Sequence, residues 1–322
     1  MTTQALAWPP PLVAGDQVAV VACSSPARRP EFSAGLTLLR SWGLDPVVIG
    51  DPFARATAPR DYLAGEDTAR AQAWAEALGD ERLRAVFCAR GGYGAMRALE
   101  ALGRRRDLDP ATPRWIVGAS DITALHLELA QRSVTGLVYG PMPATRFFAT
   151  AAGLAAQGES PDDHGEETLR RLLMGEIREL RMTGRCVIAG AARGELSGGC
   201  LSLVAALAGA PGRMQARGRI VFLEDTGETA YRLDRLLTSL RMAGALEAVS
   251  GVAIGSLEGA GLEAPQIDAL LRDRLGDLGV PVVAGLHFGH GDVQMPVPYL
   301  AEGTIEAEDV TGALHWQLPP CG

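Results

Sequence analysis

The chain has 322 residues, of which 47% are hydrophobic and 21% charged, with a formal net charge of −8. That balance is ordinary for a soluble globular protein with a substantial core in one large or two smaller domains. It argues against nucleic acid as a partner, because a phosphate backbone is held by a surplus of Lys and Arg. No stretch approaches the roughly 18 uninterrupted apolar residues of a membrane span. The first residues are neither basic nor followed by a long apolar core, so no secretory signal and no membrane partner are expected.

The first half alternates short β-rich runs with amphipathic helices. Residues 17–23 read as a strand ending at Ser24-Ser25-Pro26, followed by a helix over about 31–42 and a strand over 46–49. Residues 66–78 read as a helix, with Ala69, Ala73, Trp74 and Ala77 at helical spacing. A buried-type strand over 83–88 leads into Arg90-Gly91-Gly92-Tyr93-Gly94, and a helix over 95–102 follows. The run Arg104-Arg105-Arg106 reads as a solvated helix end. A strand over 115–117 then passes through Gly118-Ala119-Ser120 into a helix from Asp121. This alternation predicts a mainly parallel sheet covered by helices, an α/β fold. Ligands collect beyond the carboxyl ends of such strands, where Gly91-Gly92 and Ser120 fall.

From about residue 149 to 165 the chain is rich in Ala, Gly, Ser, Pro and Asp, and its pattern fades. The expected domains are therefore 1–150 and 187–322, joined by a linker over 151–186 that includes a helix near 167–174. Strands are expected in the second domain at 187–189, 219–223, 251–254 and 282–284, with a long helix over 228–242. The closing segment 303–318 looks β-rich.

Several of these turns carry candidate chemistry. Ser120 sits at a strand-to-helix turn, where a hydroxyl is exposed beside the N–H groups and positive dipole end of a helix. Ile122 stands where the second glycine of a Gly-x-Ser-x-Gly elbow would be, so Ser120 reads either as a nucleophile or as a helix N-cap. A serine nucleophile needs a base and an acid that orients the base. His126 lies inside the following helix, His164 in the linker and His315 near the terminus, which leaves His287 and His290. His290, flanked by glycines, reads as a base or as a loop histidine bonded to backbone. His287 and His290 with Asp292 would be a sparse metal-ligand set, and no metal is expected. Glu224 closes an apolar strand, where a carboxylate is costly unless paired. Asp225 and Glu228 read as a capping box, which leaves Glu224 for an imidazolium partner. The glycine loop reads as a tight turn, or as a phosphate cradle that lacks the P-loop lysine and hydroxyl. It could equally bring an amide of Gly91 or Gly92 to a substrate carbonyl as an oxyanion donor. Cys23, Cys88, Cys186, Cys200 and Cys321 are odd in number and lack CxxC spacing, which fits a reducing, cytoplasmic compartment.

Taken in order, these motifs resemble the LD-carboxypeptidase family of serine peptidases, which includes the microcin-immunity peptidases. The resemblance starts with Gly15-Asp16-Gln17-Val18-Ala19-Val20-Val21-Ala22 and Ser24-Ser25-Pro26. It continues through Arg90-Gly91-Gly92-Tyr93-Gly94, Gly118-Ala119-Ser120-Asp121-Ile122-Thr123 and Tyr139-Gly140-Pro141-Met142. Gly198-Gly199-Cys200-Leu201-Ser202-Leu203, Phe222-Leu223-Glu224-Asp225 and Tyr231-Arg232-Leu233-Asp234-Arg235 follow, then Gly289-His290 and Pro296-Val297-Pro298. The resemblance implies Ser120 as nucleophile, Glu224 as triad acid and His290 as general base. The amide of Asp121, with one from Gly91 or Gly92, would form the oxyanion hole. It further implies an N-terminal Rossmann-like domain and a smaller, swivelling β-rich C-terminal α/β domain, no metal or other cofactor, and a homodimer. The implied substrate is a murein tetrapeptide, cut at the L,D bond to its terminal D-alanine during cell-wall recycling. Arg90 and Arg232 are the candidates for holding the substrate carboxylate, since a guanidinium fork fits it bidentately; for Arg232 a structural ion pair is the alternative. Cys200 departs from the asparagine usual in the family. The segment between Tyr139 and Glu167 lacks the aromatic-rich insertion expected of a nucleotide-gripping peptidase, which favours the murein branch. The alternatives are hydrolysis of peptidyl-nucleotides or other small acylated amides, and a murein-peptide-binding protein without catalysis.

Overall fold

A computed structural model describes residues 7–103, 110, 112–156 and 164–319. Arg104-Arg105-Arg106 and Cys321 lie outside the described residues. The chain divides into two compact units, Met1–Ile177 and Arg178–Pro320.

The first unit runs β1 (Gln17–Val21), α1 (Arg29–Ser41), β2 (Asp45–Ile49), α2 (Asp67–Gly79), β3 (Leu83–Cys88), α3 (Ala95–Leu102) and β4 (Trp115–Gly118). It continues with α4 (Thr123–Gln131), β5 (Leu137–Tyr139), α5 (Arg146–Ala156) and α6 (Gly165–Leu173). The strands pair in parallel in the order β5-β4-β3-β1-β2. Such a sheet is covered on both faces, so its strands are continuous apolar runs: Val18–Val21 and Ala85–Cys88 are wholly buried. Each fully buried Val, Leu or Phe there contributes about 1.5–3 kcal/mol of transfer free energy. The strand order reverses between β1 and β3, the switch point at which doubly wound sheets bind ligands. The loops holding Ser24-Ser25 and Arg90-Gly91-Gly92 leave the sheet at that point.

Two elements of this unit carry little sequence signal. β5 is three residues long, too short to show a period, and α5 lies partly in the Ala- and Gly-rich stretch expected to be linker. The unit boundary falls between Ile177 and Arg178, so the segment 151–186 carries α6 and most of β6.

The second unit begins with β6 (Glu179–Ile188) and β7 (Gly190–Cys200), longer than the single strand expected at 187–189. It continues with α7 (Leu201–Ala206), β8 (Ile220–Thr226), α8 (Ala230–Met242), β9 (Gly251–Glu258), α9 (Ala264–Leu275), β10 (Val282–Ala284), β11 (Val297–Pro298), β12 (Glu302–Glu308) and β13 (Thr311–Gln317). A closed barrel forms in the order β10-β6-β13-β12-β7-β8-β9. Closure leaves no unpaired strand edge. Within it β7, β8, β9 and β10 are parallel, joined through α7, α8 and α9, whereas β6, β12 and β13 pair antiparallel. Gly198 makes the β7–β8 approach possible: a Cβ there would lie 1.8 Å from the Phe222 carbonyl oxygen. Among the described residues no helix is long and apolar enough to cross a membrane.

Candidate active site

In the first unit the chain leaves β4 fully extended at Ala119 (φ −151°, ψ 178°) and turns sharply at Ser120, whose φ is +60°. Left-handed backbone is uncommon for a residue with a Cβ, and such sites concentrate where function holds them in place. Ser120 opens a single 3₁₀ turn, Ser120–Ile122, that passes into α4 at Thr123. Neither helix start has a side-chain cap, so the Ser120 hydroxyl is not used as an N-cap. The Ser120 amide N–H instead donates to the Tyr139 hydroxyl at 2.9 Å.

The glycine loop lies directly against this turn. A Cβ on Gly91 would sit 2.8 Å from the Ser120 Cβ and 3.2 Å from its Oγ. Gly92, at φ +116°, leaves room for Ser25, whose Oγ accepts the Tyr93 amide at 3.2 Å. Among the described residues the amides of Gly91 and Gly92 have no acceptor. The Asp121 side chain points inward, where its carboxylate accepts the Ser24 hydroxyl at 2.5 Å and the Ala95 amide at 2.7 Å. Burial pushes its pKa above the usual carboxylate range, and those two bonds oppose the rise. Asp121 therefore ties the turn to the loop after β1 and to the start of α3. Arg90 is half-buried and donates to the Pro26 carbonyl at 3.3 Å.

In the second unit Glu224, on β8, is fully buried. Its Oε2 accepts both the His290 backbone N–H at 3.1 Å and the ring Nδ1–H at 2.7 Å. With Nδ1–H donated, the neutral ring presents its lone pair at Nε2. Burial alone would lower the His290 pKa, but the hydrogen bond and charge of Glu224 outweigh it and the net shift is upward. The loop has little freedom: Gly289 has φ +98°, and Gly291 donates to the Ser256 hydroxyl at 3.0 Å. Both the backbone N–H and the ring of His290 are thus paired with a carboxylate.

The other histidines sit elsewhere. His126 is buried in α4, where burial lowers its pKa to about 3 and keeps it neutral. His164 lies 3.3 Å from Glu166 and His315 3.5 Å from Glu179. His287 is exposed, and among the described residues no group of three or more His, Cys, Asp or Glu is arranged around a metal site.

The expected capping box at Asp225 and Glu228 does not form. α8 starts at Ala230, two residues after the expected start, with Thr229 at the N-cap position making no side-chain cap, and Glu228 pairs with Arg232 at 3.5 Å. Asp225 turns to α7 instead, accepting the amides of Ser202 and Thr226, each at 2.8 Å. The Cys200 thiol, opposite Glu224 in the β7–β8 register, donates to Asp225 at 3.6 Å. Burial raises the pKa of both Cys200 and Asp225. Ser120, Asp121, Gly91 and Gly92 thus converge in the first unit and Glu224 with His290 in the second, whereas Arg232 is engaged with Glu228. Ser24 and Tyr139, which hold the turn, stood in matched motifs but with no role readable from their neighbours in sequence.

Comparison with known proteins gives a consistent result. The N-terminal domain model of LD-carboxypeptidase matches residues 18–140, and the C-terminal domain model matches residues 193–305. A Streptomyces coelicolor protein named as a carboxypeptidase is 41% identical over 318 residues, covering 98% of this chain and 97% of that protein. The murein tetrapeptide carboxypeptidase of Pseudomonas aeruginosa is 30% identical over 253 residues, covering 76% of this chain and 80% of that protein. Among solved structures, muramoyltetrapeptide carboxypeptidase from Oxalobacter formigenes has a TM-score of 0.76 at 23% identity, covering 94% of this chain and 100% of that one. The microcin C7 self-immunity protein MccF has a TM-score of 0.80 at 20% identity, covering 98% and 99%. The two structures speak to the fold, and the sequence matches to the family. The chain belongs to the LD-carboxypeptidase family and is a serine-type carboxypeptidase, a hydrolase.

Proposed function

We propose that this enzyme hydrolyses the L,D-peptide bond to the terminal D-alanine of murein tetrapeptides, with Ser120 as nucleophile, His290 as base and Glu224 as the acid that orients it. Ser120 Oγ attacks the scissile carbonyl as its proton passes to His290 Nε2, and the C–N bond then breaks as that proton goes to the departing D-alanine amine. A water activated by the same imidazole cleaves the acyl-serine ester and regenerates the enzyme. The amide of Asp121, with that of Gly91 or Gly92, receives the tetrahedral oxyanion; losing one such donor costs roughly 10²–10³ in kcat. Arg90 is the favoured partner for the substrate carboxylate, since Arg232 is already paired with Glu228. A cytoplasmic homodimer acting in cell-wall recycling belongs to the same reading.

The observation that carries the proposal is the Glu224–His290 pair at 2.7 Å, a buried carboxylate bonded to both nitrogens that fix the ring. It gives a sign for the pH profile. Only neutral His290 can accept the serine proton, and its pKa is raised, so kcat/KM climbs with pH through a midpoint above the ordinary histidine value of about 6.5. Glu224→Gln removes the charge, leaves burial to dominate, and moves that midpoint down. A midpoint that stays put in Glu224→Gln would mean that another group titrates.

The substrate is tested by turnover of three compounds: the tetrapeptide, its counterpart ending in L-alanine, and an aminoacyl- or peptidyl-nucleotide conjugate. The tetrapeptide is expected to be cut with at least tenfold higher kcat/KM than either of the others. A preference for the nucleotide conjugate would place the enzyme with the microcin-immunity peptidases instead.

A further inference from the structure

The Ser120 turn contains a side chain whose role the triad does not account for. Tyr139 ends β5, paired in parallel with β4 so that it stands opposite Gly118. Its ring is fully buried, and its hydroxyl is 2.9 Å from the Ser120 amide nitrogen. That amide belongs to a residue at φ +60°. In this conformation the Ser120 N–H is aimed at the buried phenol.

We propose that Tyr139 is a positioning residue for the nucleophile: its hydroxyl accepts the Ser120 N–H and holds the serine in its left-handed conformation. The inference rests on Ser120 being the nucleophile. It has a consequence for the oxyanion hole. In many serine hydrolases the nucleophile's own amide is a donor to the developing charge. Here that amide is already given to Tyr139, so the donors are left to Asp121 and the glycine loop. Without the phenol oxygen a part-buried N–H has lost its acceptor, and a strained turn has lost the bond that opposes its relaxation. A shift of about 1 Å at the attacking atom is enough to cost 10²-fold in rate. Substrate contacts made elsewhere are untouched, so the loss falls on kcat and not on KM.

The test compares wild type with Tyr139→Phe, which removes one oxygen and keeps the ring. For turnover of the tetrapeptide, kcat is expected to fall about 10- to 100-fold with KM within about twofold. The rate of Ser120 modification by diisopropyl fluorophosphate, read by mass spectrometry of the intact protein, is expected to fall in parallel. Equal modification and equal kcat in the two proteins would overturn the role of Tyr139 alone. A wild-type protein left unmodified at Ser120 and inactive on the tetrapeptide would instead overturn the nucleophile reading beneath it. A second measurement needs no variant. In wild-type protein labelled with ¹⁵N-serine, the Ser120 amide is expected to exchange at least tenfold more slowly than a serine amide in an unstructured chain. Exchange at the unprotected rate would show that the bond to Tyr139 is not made.

Discussion

Ser120→Ala, Glu224→Ala and His290→Ala are each expected to lower kcat for the tetrapeptide by roughly 10⁴–10⁶, and combining them should cost little more. The non-additivity is the informative part. Three groups that move one proton along one path fail together, so removing the second adds nothing once the first is gone. Folding controls differ among the three. His290→Ala leaves the Glu224 carboxylate, fully buried, without its ring partner. Losing a hydrogen bond to a buried charged group costs about 1.5–3 kcal/mol of stability, so a lower unfolding midpoint accompanies that variant. Ser120→Ala removes only a hydroxyl that caps no helix, and it should unfold close to wild type. Kinetics with unfolding curves therefore separate chemistry from structure. Additive losses, or turnover near normal in any folded single variant, would remove that residue from the mechanism.

Gly289→Ala is expected to lose at least about 10² in kcat, although residue 289 supplies no group to the proton path. The glycine has φ +98°, and a Cβ built on it would lie 2.4 Å from Glu224 Oε2, the same oxygen that holds the His290 ring and backbone. Alanine must therefore either flip the backbone or push the carboxylate away, and both outcomes turn the ring. The backbone strain alone costs on the order of 1–3 kcal/mol, so the unfolding midpoint should fall as well. Gly209→Ala is the control, because no heavy atom lies within 4 Å of a Cβ placed there. If Gly289→Ala kept wild-type kcat, the close packing of Gly289 on Glu224 would not be what aims the histidine.

The parallel sheet of the first unit was legible because its strands are short apolar runs closed by turn residues. Residues 17–21, 83–88 and 115–118 could hardly be anything else beside helices of amphipathic period. The barrel was not legible. β6 reads Glu-Leu-Arg-Met-Thr-Gly-Arg-Cys-Val-Ile and β7 Gly-Ala-Ala-Arg-Gly-Glu-Leu-Ser-Gly-Gly-Cys, where arginines and glutamates on the outer face and glycines at close approaches blur the period of two. The capping box failed for a different reason: its spacing was right, but the Asp225 carboxylate is taken by the Ser202 amide at the start of α7 and by that of Thr226. At the site, Glu224 was legible as a carboxylate on an apolar strand in need of a cation. Ser120 and His290 each kept an ordinary alternative until the matched motifs were weighed together. Tyr139 could not be found from local sequence, because its contact with Ser120 is set by the register of two neighbouring strands, 19 residues apart.

The most direct measurement is mass spectrometry of the purified protein incubated with L-Ala-D-Glu-meso-diaminopimelate-D-Ala, beside Ser120→Ala under the same conditions. Loss of one alanine with the wild type, and an intact peptide with the variant, is the predicted result. Cleavage by both proteins would contradict Ser120 as the nucleophile, and an intact peptide with both would contradict the murein tetrapeptide as substrate.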